Sequence, residues 1–101
     1  MYFIYIIYSE SAGLYYVGYT NDPKRRLIEH NTNPHHTFTS KHRQWVMKAL
    51  FECGISESQN VIIERFIKKQ KSRKLIELLC DPGFIPHGKL AQLVRVPHVR
   101  D

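Results

Sequence analysis

Tyr2 to Tyr8 is an unbroken run of β-branched and aromatic residues, and Ser9-Glu10-Ser11-Ala12-Gly13 closes it, a pattern that predicts a central strand entering a turn. Leu14 to Thr20 repeats the composition. The two runs read as an antiparallel hairpin joined by about five residues, within the usual range for such connections. Asn21-Asp22-Pro23 then supplies a helix cap with proline at the first helical position, where the missing N–H costs nothing, so a helix is expected from Pro23 to Asn31. Thr32 to Arg43 is rich in Asn, Thr, Ser, His and Lys without a clean period and reads as an exposed loop.

Gln44 to Glu52 carries enough apolar residues for a third strand, and Gly54 ends it. Ser56 with Gln59 three positions on matches a capping box, which opens a helix over Glu57 to Lys71. Its apolar stripe is Ile62, Ile63, Phe66 and Ile67, expected to cover the sheet, with Lys68, Lys69 and Lys71 left in water. Ser72 to Leu79 reads as a third short helix stopped by Asp81-Pro82-Gly83. The expected architecture is α+β: a small three-stranded antiparallel sheet flanked by about three helices. It occupies residues 1–83, and residues 84–101, with Pro86, Gly88 and Pro97 and no period, form an irregular tail.

A length of 101 residues suits one domain with one core. Fifteen Lys and Arg against nine Asp and Glu give a net charge of +6, which favours polyanionic partners. Cys53 and Cys80 are too few for a disulfide framework or a structural zinc site, so reduced thiols in a cytoplasm are expected. The apolar start lacks a basic leader and a small-residue cleavage site and is far shorter than a membrane span, so no membrane partner is expected. His35, His36 and His42 lie in a polar loop with no Cys or carboxylate at ligand spacing, which argues against zinc there. Trp45 reads as core.

Two strand motifs stand out: Phe3-Ile4-Tyr5 and Tyr16-Val17-Gly18, with ten residues between Tyr5 and Tyr16. Arg26 lies eight residues past Gly18, His30 four further on, and Glu64 falls on a later helix. In these motifs and their order the chain resembles the GIY-YIG nucleases, and Lys24-Arg25-Arg26, Glu29-His30-Asn31 and Lys71-Ser72-Arg73-Lys74 resemble the small single-domain bacterial members. The resemblance covers residues 2 to 79. Phe3 stands where the family name has its first glycine and Val17 where it has isoleucine. The asparagine that many members carry after the metal-binding glutamate has no counterpart, since no Asn follows Asn60.

The resemblance implies a metal-dependent endonuclease acting on DNA. It makes Tyr5, assisted by Tyr16, the candidate general base or water-orienting group, and Glu64 the ligand of one Mg²⁺ or Mn²⁺. A hard cation that keeps most of its waters needs only one or two carboxylates, so a single glutamate suffices. Arg26 offers a permanently charged planar fork for the non-bridging phosphate oxygens as charge builds in the transition state. At i and i+4, Arg26 and His30 project from one helix face. A free phenol near neutral pH is ionised at about one part in a thousand, so nearby cations are expected to bias Tyr5 toward the anion. Lys24, Arg25, Thr39, Ser40, Lys41 and Arg43 are candidate contacts to the DNA backbone, and Gly18 belongs to the structural motif. A monomer is expected.

Two rival functions are weighed. An RNA-recognition domain could use Tyr15-Tyr16-Val17-Gly18-Tyr19 to stack bases, but it separates its two aromatic strands by a helix and another strand, whereas a tight turn joins them here. A catalytically weak or inactive nucleic-acid-binding module of the same fold is the other, and the presence of all four catalytic candidates argues for the enzyme.

Overall fold

A computed structural model describes residues 1–33 and 38–97; the histidines at 35 and 36 therefore lie outside the described residues. The elements run β1 (Phe3–Ser9), β2 (Leu14–Thr20), α1 (Pro23–Thr32), α2 (Phe38–Lys41), β3 (Trp45–Glu52), α3 (Glu57–Lys69), α4 (Arg73–Cys80), a short 3-10 turn (Gly88–Leu90) and β4 (Val94–Arg95). The sheet is antiparallel with strand order β2-β1-β3-β4.

β1 is central, and Ile4, Tyr5, Ile6 and Ile7 are all buried, which explains why its sequence is continuously apolar instead of alternating. Ile4 and Ile6 face a cluster with Val17, Phe51, Ile63, Ile67 and Leu79, so α3 and α4 cover that face. Tyr5 and Ile7 face a cluster with Trp45, Met47 and Leu50, to which Leu27 of α1 contributes. The hairpin turns at Gly13, whose φ of 65° suits glycine and whose N–H donates to the Ser9 carbonyl at 2.7 Å. A bulge in β3 at Lys48 shifts its register between Ile6 and Ile7, keeping Met47 and Leu50 on the Tyr5 face.

Helix starts follow the expected chemistry. Asp22 accepts from the Arg25 N–H and Ser72 from the Leu75 N–H. Ser56 accepts from the Gln59 N–H, as in the first half of a capping box, while the Gln59 Nε2 donates to Gln92 at 3.2 Å. The α3 stripe is also corrected: Ile63 and Ile67 are buried and Ile62 is exposed. The inward position one turn earlier belongs to Asn60, whose Nδ2 donates to the Cys53 and Ser56 carbonyls.

Three expectations fail on non-local contacts. Among the described residues the sheet has four strands, because β4 pairs with the end of β3, and there are four α-helices, α2 being the addition. Thr32 to Arg43 is not simply an exposed loop: α1 runs through Thr32 and α2 holds Thr39 inside, where its carbonyl accepts the Trp45 Nε1–H at 2.7 Å. The segment from 84 is not irregular throughout. Leu90 and Leu93 are buried in the core, and Arg95 donates to the carbonyls of Leu79, Asp81 and Phe84. Among the described residues no helix is long and apolar enough to cross a membrane.

Candidate active site

Tyr5 and Tyr16 reach the same face of the hairpin because Tyr16 pairs with Ile7, two residues beyond Tyr5; their ring centroids lie 6.5 Å apart. Gly18 pairs with Tyr5 and gives its ring room. A side chain there would overlap the Tyr5 hydroxyl and ring carbons, with Cε2 only 2.9 Å from the added Cβ. The glycine is required by close approach, not by its φ.

A cleft of about 500 Å³ is lined by Tyr5 from β1, Tyr16 from β2, Arg26 from α1 and Glu64 from α3, together with Tyr2, Tyr19, Thr20, Asn21 and Glu57. Tyr16 and Tyr19 point to opposite faces of the edge strand β2, so the cleft wraps that edge. This wrapping lets a residue of α3, which packs on one face, meet residues that project from the other. A smaller cavity of about 190 Å³ shares Tyr16 and Arg26 and adds Glu29, His30, Asn33, Phe38 and Thr39.

His30 is buried beneath the cleft. Its Nε2 lies 2.7 Å from the Tyr5 hydroxyl and its Nδ1 2.8 Å from the Thr39 hydroxyl. Burial, helped by the Arg26 charge and opposed by Glu29, pushes its pKa down to about 4, so the ring is neutral near pH 7. Burial also lifts the Tyr5 phenol well above its ordinary value, with Arg26 opposing. Arg26 alone does not hold Tyr5 as an anion: desolvation outweighs its charge, and without a bound cation the phenol keeps its proton.

Arg26 donates to Glu29 at 2.9 Å, and Arg25 donates to the same carboxylate at 3.0 Å. The hydrogen bond from Arg26, together with the charge of Arg25, holds the Glu29 carboxyl below its usual range. These exposed pairs cost little to exchange for a phosphate. Glu64 pairs with Lys68 one turn on at 3.2 Å and is 15% exposed, while the Lys68 ammonium sits 4.8 Å from the centroid of the Tyr16 ring. Glu64 thus forms an i,i+4 ion pair and lines the cleft at the same time.

The donor set fits a hard divalent cation. Glu64 and Glu57 offer carboxylate oxygens to the cleft, and the described residues contain no group of three or more His, Cys, Asp or Glu that could hold a metal. That excludes a cage built from such side chains among those residues and leaves a site completed by water and phosphate, as Mg²⁺ prefers. Six coordinated waters fill on the order of 180 Å³, which the cleft accommodates beside a phosphate.

The outer candidates divide. Lys24, Arg25 and Lys41 are exposed. Ser40 is half-buried on α2. Thr39 is turned inward under His30, and the Arg43 guanidinium donates to the carbonyls of His30 and Asn33, closing the C-terminal end of α1. Both are thus committed to the protein. His42 packs on Phe38 with centroids 4.9 Å apart. The sequence reading missed Glu57 and Tyr19 as cleft neighbours. Helical spacing was a usable signal for Glu57, two turns before Glu64, whereas Tyr19 arrives only through the edge position of β2.

No curated protein matches the chain. The family model described as GIY-YIG catalytic domain matches residues 1–76.

Proposed function

The chain belongs to the GIY-YIG family, and from that premise we propose that it is an endonuclease that hydrolyses phosphodiester bonds in DNA with one Mg²⁺ or Mn²⁺ ion. The observation that carries the reading is the common cleft: a phenol pair, a guanidinium and a carboxylate from four separate elements line one space of adequate size.

In this reading Tyr5, with Tyr16 beside it, orients the attacking water and takes its proton. Arg26 leaves Glu29 for the scissile phosphate and stabilises the charge that builds on its non-bridging oxygens. Glu64 would hold the cation in place of Lys68, and Glu57, which lines the same cleft, adds a second carboxylate to it. When bound, the ion supplies Lewis-acid stabilisation of the phosphoryl oxygens and the leaving group. Lys24, Arg25 and Lys41 grip the backbone and carry no sequence information, so cleavage follows DNA structure more than sequence. A cytoplasmic setting suits the free Cys53 and Cys80.

A binding module without turnover is favoured by two observations, the Lys68 ion pair on Glu64 and the lack of any Asn after Asn60. Incubation with branched, nicked and plain duplex DNA plus Mg²⁺ or Mn²⁺ separates the two. Metal-dependent nicking that Glu64→Ala abolishes supports the enzyme; binding without cleavage on every substrate supports the module.

A further inference from the structure

Both ring nitrogens of His30 are engaged by hydroxyls, one on each side: Tyr5 at 2.7 Å and Thr39 at 2.8 Å. Thr39 and Tyr5 are 7% and 2% exposed and His30 is 4% exposed, so bulk water does not compete for these bonds. A neutral imidazole has one donor and one acceptor nitrogen, and the two contacts must be of opposite sense. Arg26 biases the sense. Its guanidinium lines the same cleft as Tyr5 and can only donate, which favours, without forcing, the arrangement in which the phenol proton points to His30. Nε2 is then the acceptor, and Nδ1 carries the proton that Thr39 receives.

We propose that Thr39 is a positioning residue for catalysis: by accepting the His30 Nδ1–H it fixes the tautomer whose bare Nε2 takes the Tyr5 proton as water attacks. The inference rests on the nuclease reading above. Tyr5 Oη receives a proton from the attacking water while passing its own to Nε2. The water oxygen bonds to phosphorus, the bond from phosphorus to the leaving oxygen breaks, and solvent protonates that oxygen. His30 afterwards returns its proton through Tyr5 to solvent, so the sum is one water added across one phosphodiester bond.

The relay removes a difficulty that Tyr5 alone presents. A buried phenol that keeps its proton cannot serve as a base unless something accepts that proton in the same event. Among the described residues, the charged and titratable groups around His30 are Arg26 and Glu29 on α1, Tyr5 on β1, Tyr16 on β2 with its ring centroid 5.2 Å away, and Arg43, which bonds the His30 carbonyl. Burial is the main cause of the lowered imidazole basicity and Arg26 adds to it, so a phosphate bound to Arg26 offsets the second of the two when the base is needed. The arrangement places Thr39 where an orienting group holds the far nitrogen of a catalytic histidine.

Nitrogen-15 spectra of the His30 ring read the tautomer without any metal or DNA, and single-turnover cleavage reads the consequence. We expect the Nδ1–H form in the wild type and in Thr39→Ser. Thr39→Val should shift the ring toward the Nε2–H form and lower kcat by about 100-fold with KM unchanged. A wild-type ring in the Nε2–H form overturns the proposal, as does a Thr39→Val protein that keeps the tautomer or cuts as fast as the wild type. A wild type that cuts no DNA overturns the nuclease reading itself, and with it the catalytic use of the relay, while the spectra still report the geometry.

Discussion

Gly18 and Tyr5 form one unit across the hairpin, and the size of one residue dictates the chemistry available to the other. Because the Tyr5 ring is buried and pinned to His30, it cannot swing away from an added methyl. Gly18→Ala should therefore lower the free energy of unfolding by about 1–3 kcal/mol, measured by urea denaturation, and disturb the His30 resonances; an unchanged midpoint would show that the ring has room to move. His30 makes a second, pH-dependent contribution. Its pKa is 6.5 when free and about 4 in the fold, so between those values the unfolded chain binds more protons and stability falls as the pH falls. The gap is worth about 3 kcal/mol, fully present above pH 6.5 and lost by pH 4. Denaturation midpoints across that window should drop more steeply for the wild type than for His30→Gln, and parallel curves would contradict the assignment. Tyr5, Tyr16, Arg26 and Glu64, which share the cleft, were singled out through the resemblance of their motifs to the GIY-YIG family. The role of Thr39 was not legible, since it depends on a contact nine residues away in a polar segment whose composition resembles any loop.

Helix α3 shows how one element serves core and cleft together. Ile63 and Ile67 anchor it to the sheet, the buried Asn60 ties its first turn to the Cys53 carbonyl, and Glu57 and Glu64 then stand two turns apart on the cleft side. Its position was legible from the Ser56 cap and the apolar content, but the facing residues were shifted, because Asn60 occupies a core position that hydropathy assigns to solvent. α1 is fixed at its far end in a similar way. The Asn31 amide donates to the Trp45 carbonyl at 3.0 Å and accepts from the Trp45 N–H at 2.7 Å, imitating a neighbouring strand. β4 and the 3-10 turn escaped the sequence reading because two- and three-residue elements carry no periodic signal. Their contribution is nevertheless substantial: burying Leu90 and Leu93 is worth about 3–5 kcal/mol together, a large share of the stability of a domain this size. Truncation after Gly83 should lower the thermal midpoint sharply by circular dichroism, and a midpoint equal to that of the full chain would contradict a structural role for the segment.

At the scale of the whole molecule, an antiparallel sheet with helices on both faces places its candidate cleft at the β2 edge, where residues from the two sides can meet. The fold class was readable from the succession of strand and helix patterns, whereas the convergence of Tyr5, Arg26 and Glu64 required the third dimension. A net charge of +6 draws DNA to the surface, but charge does not distinguish a binder from an enzyme. The most direct test is to compare Tyr5→Phe with the wild type on the same DNA, measuring affinity and metal-dependent cleavage together. Removing one hydroxyl leaves the fold, Arg26 and Glu64 in place, so binding should stay within about twofold while cleavage falls by 100-fold or more. Near-normal cleavage by that variant would remove Tyr5 from the reaction and contradict the proposed use of the cleft.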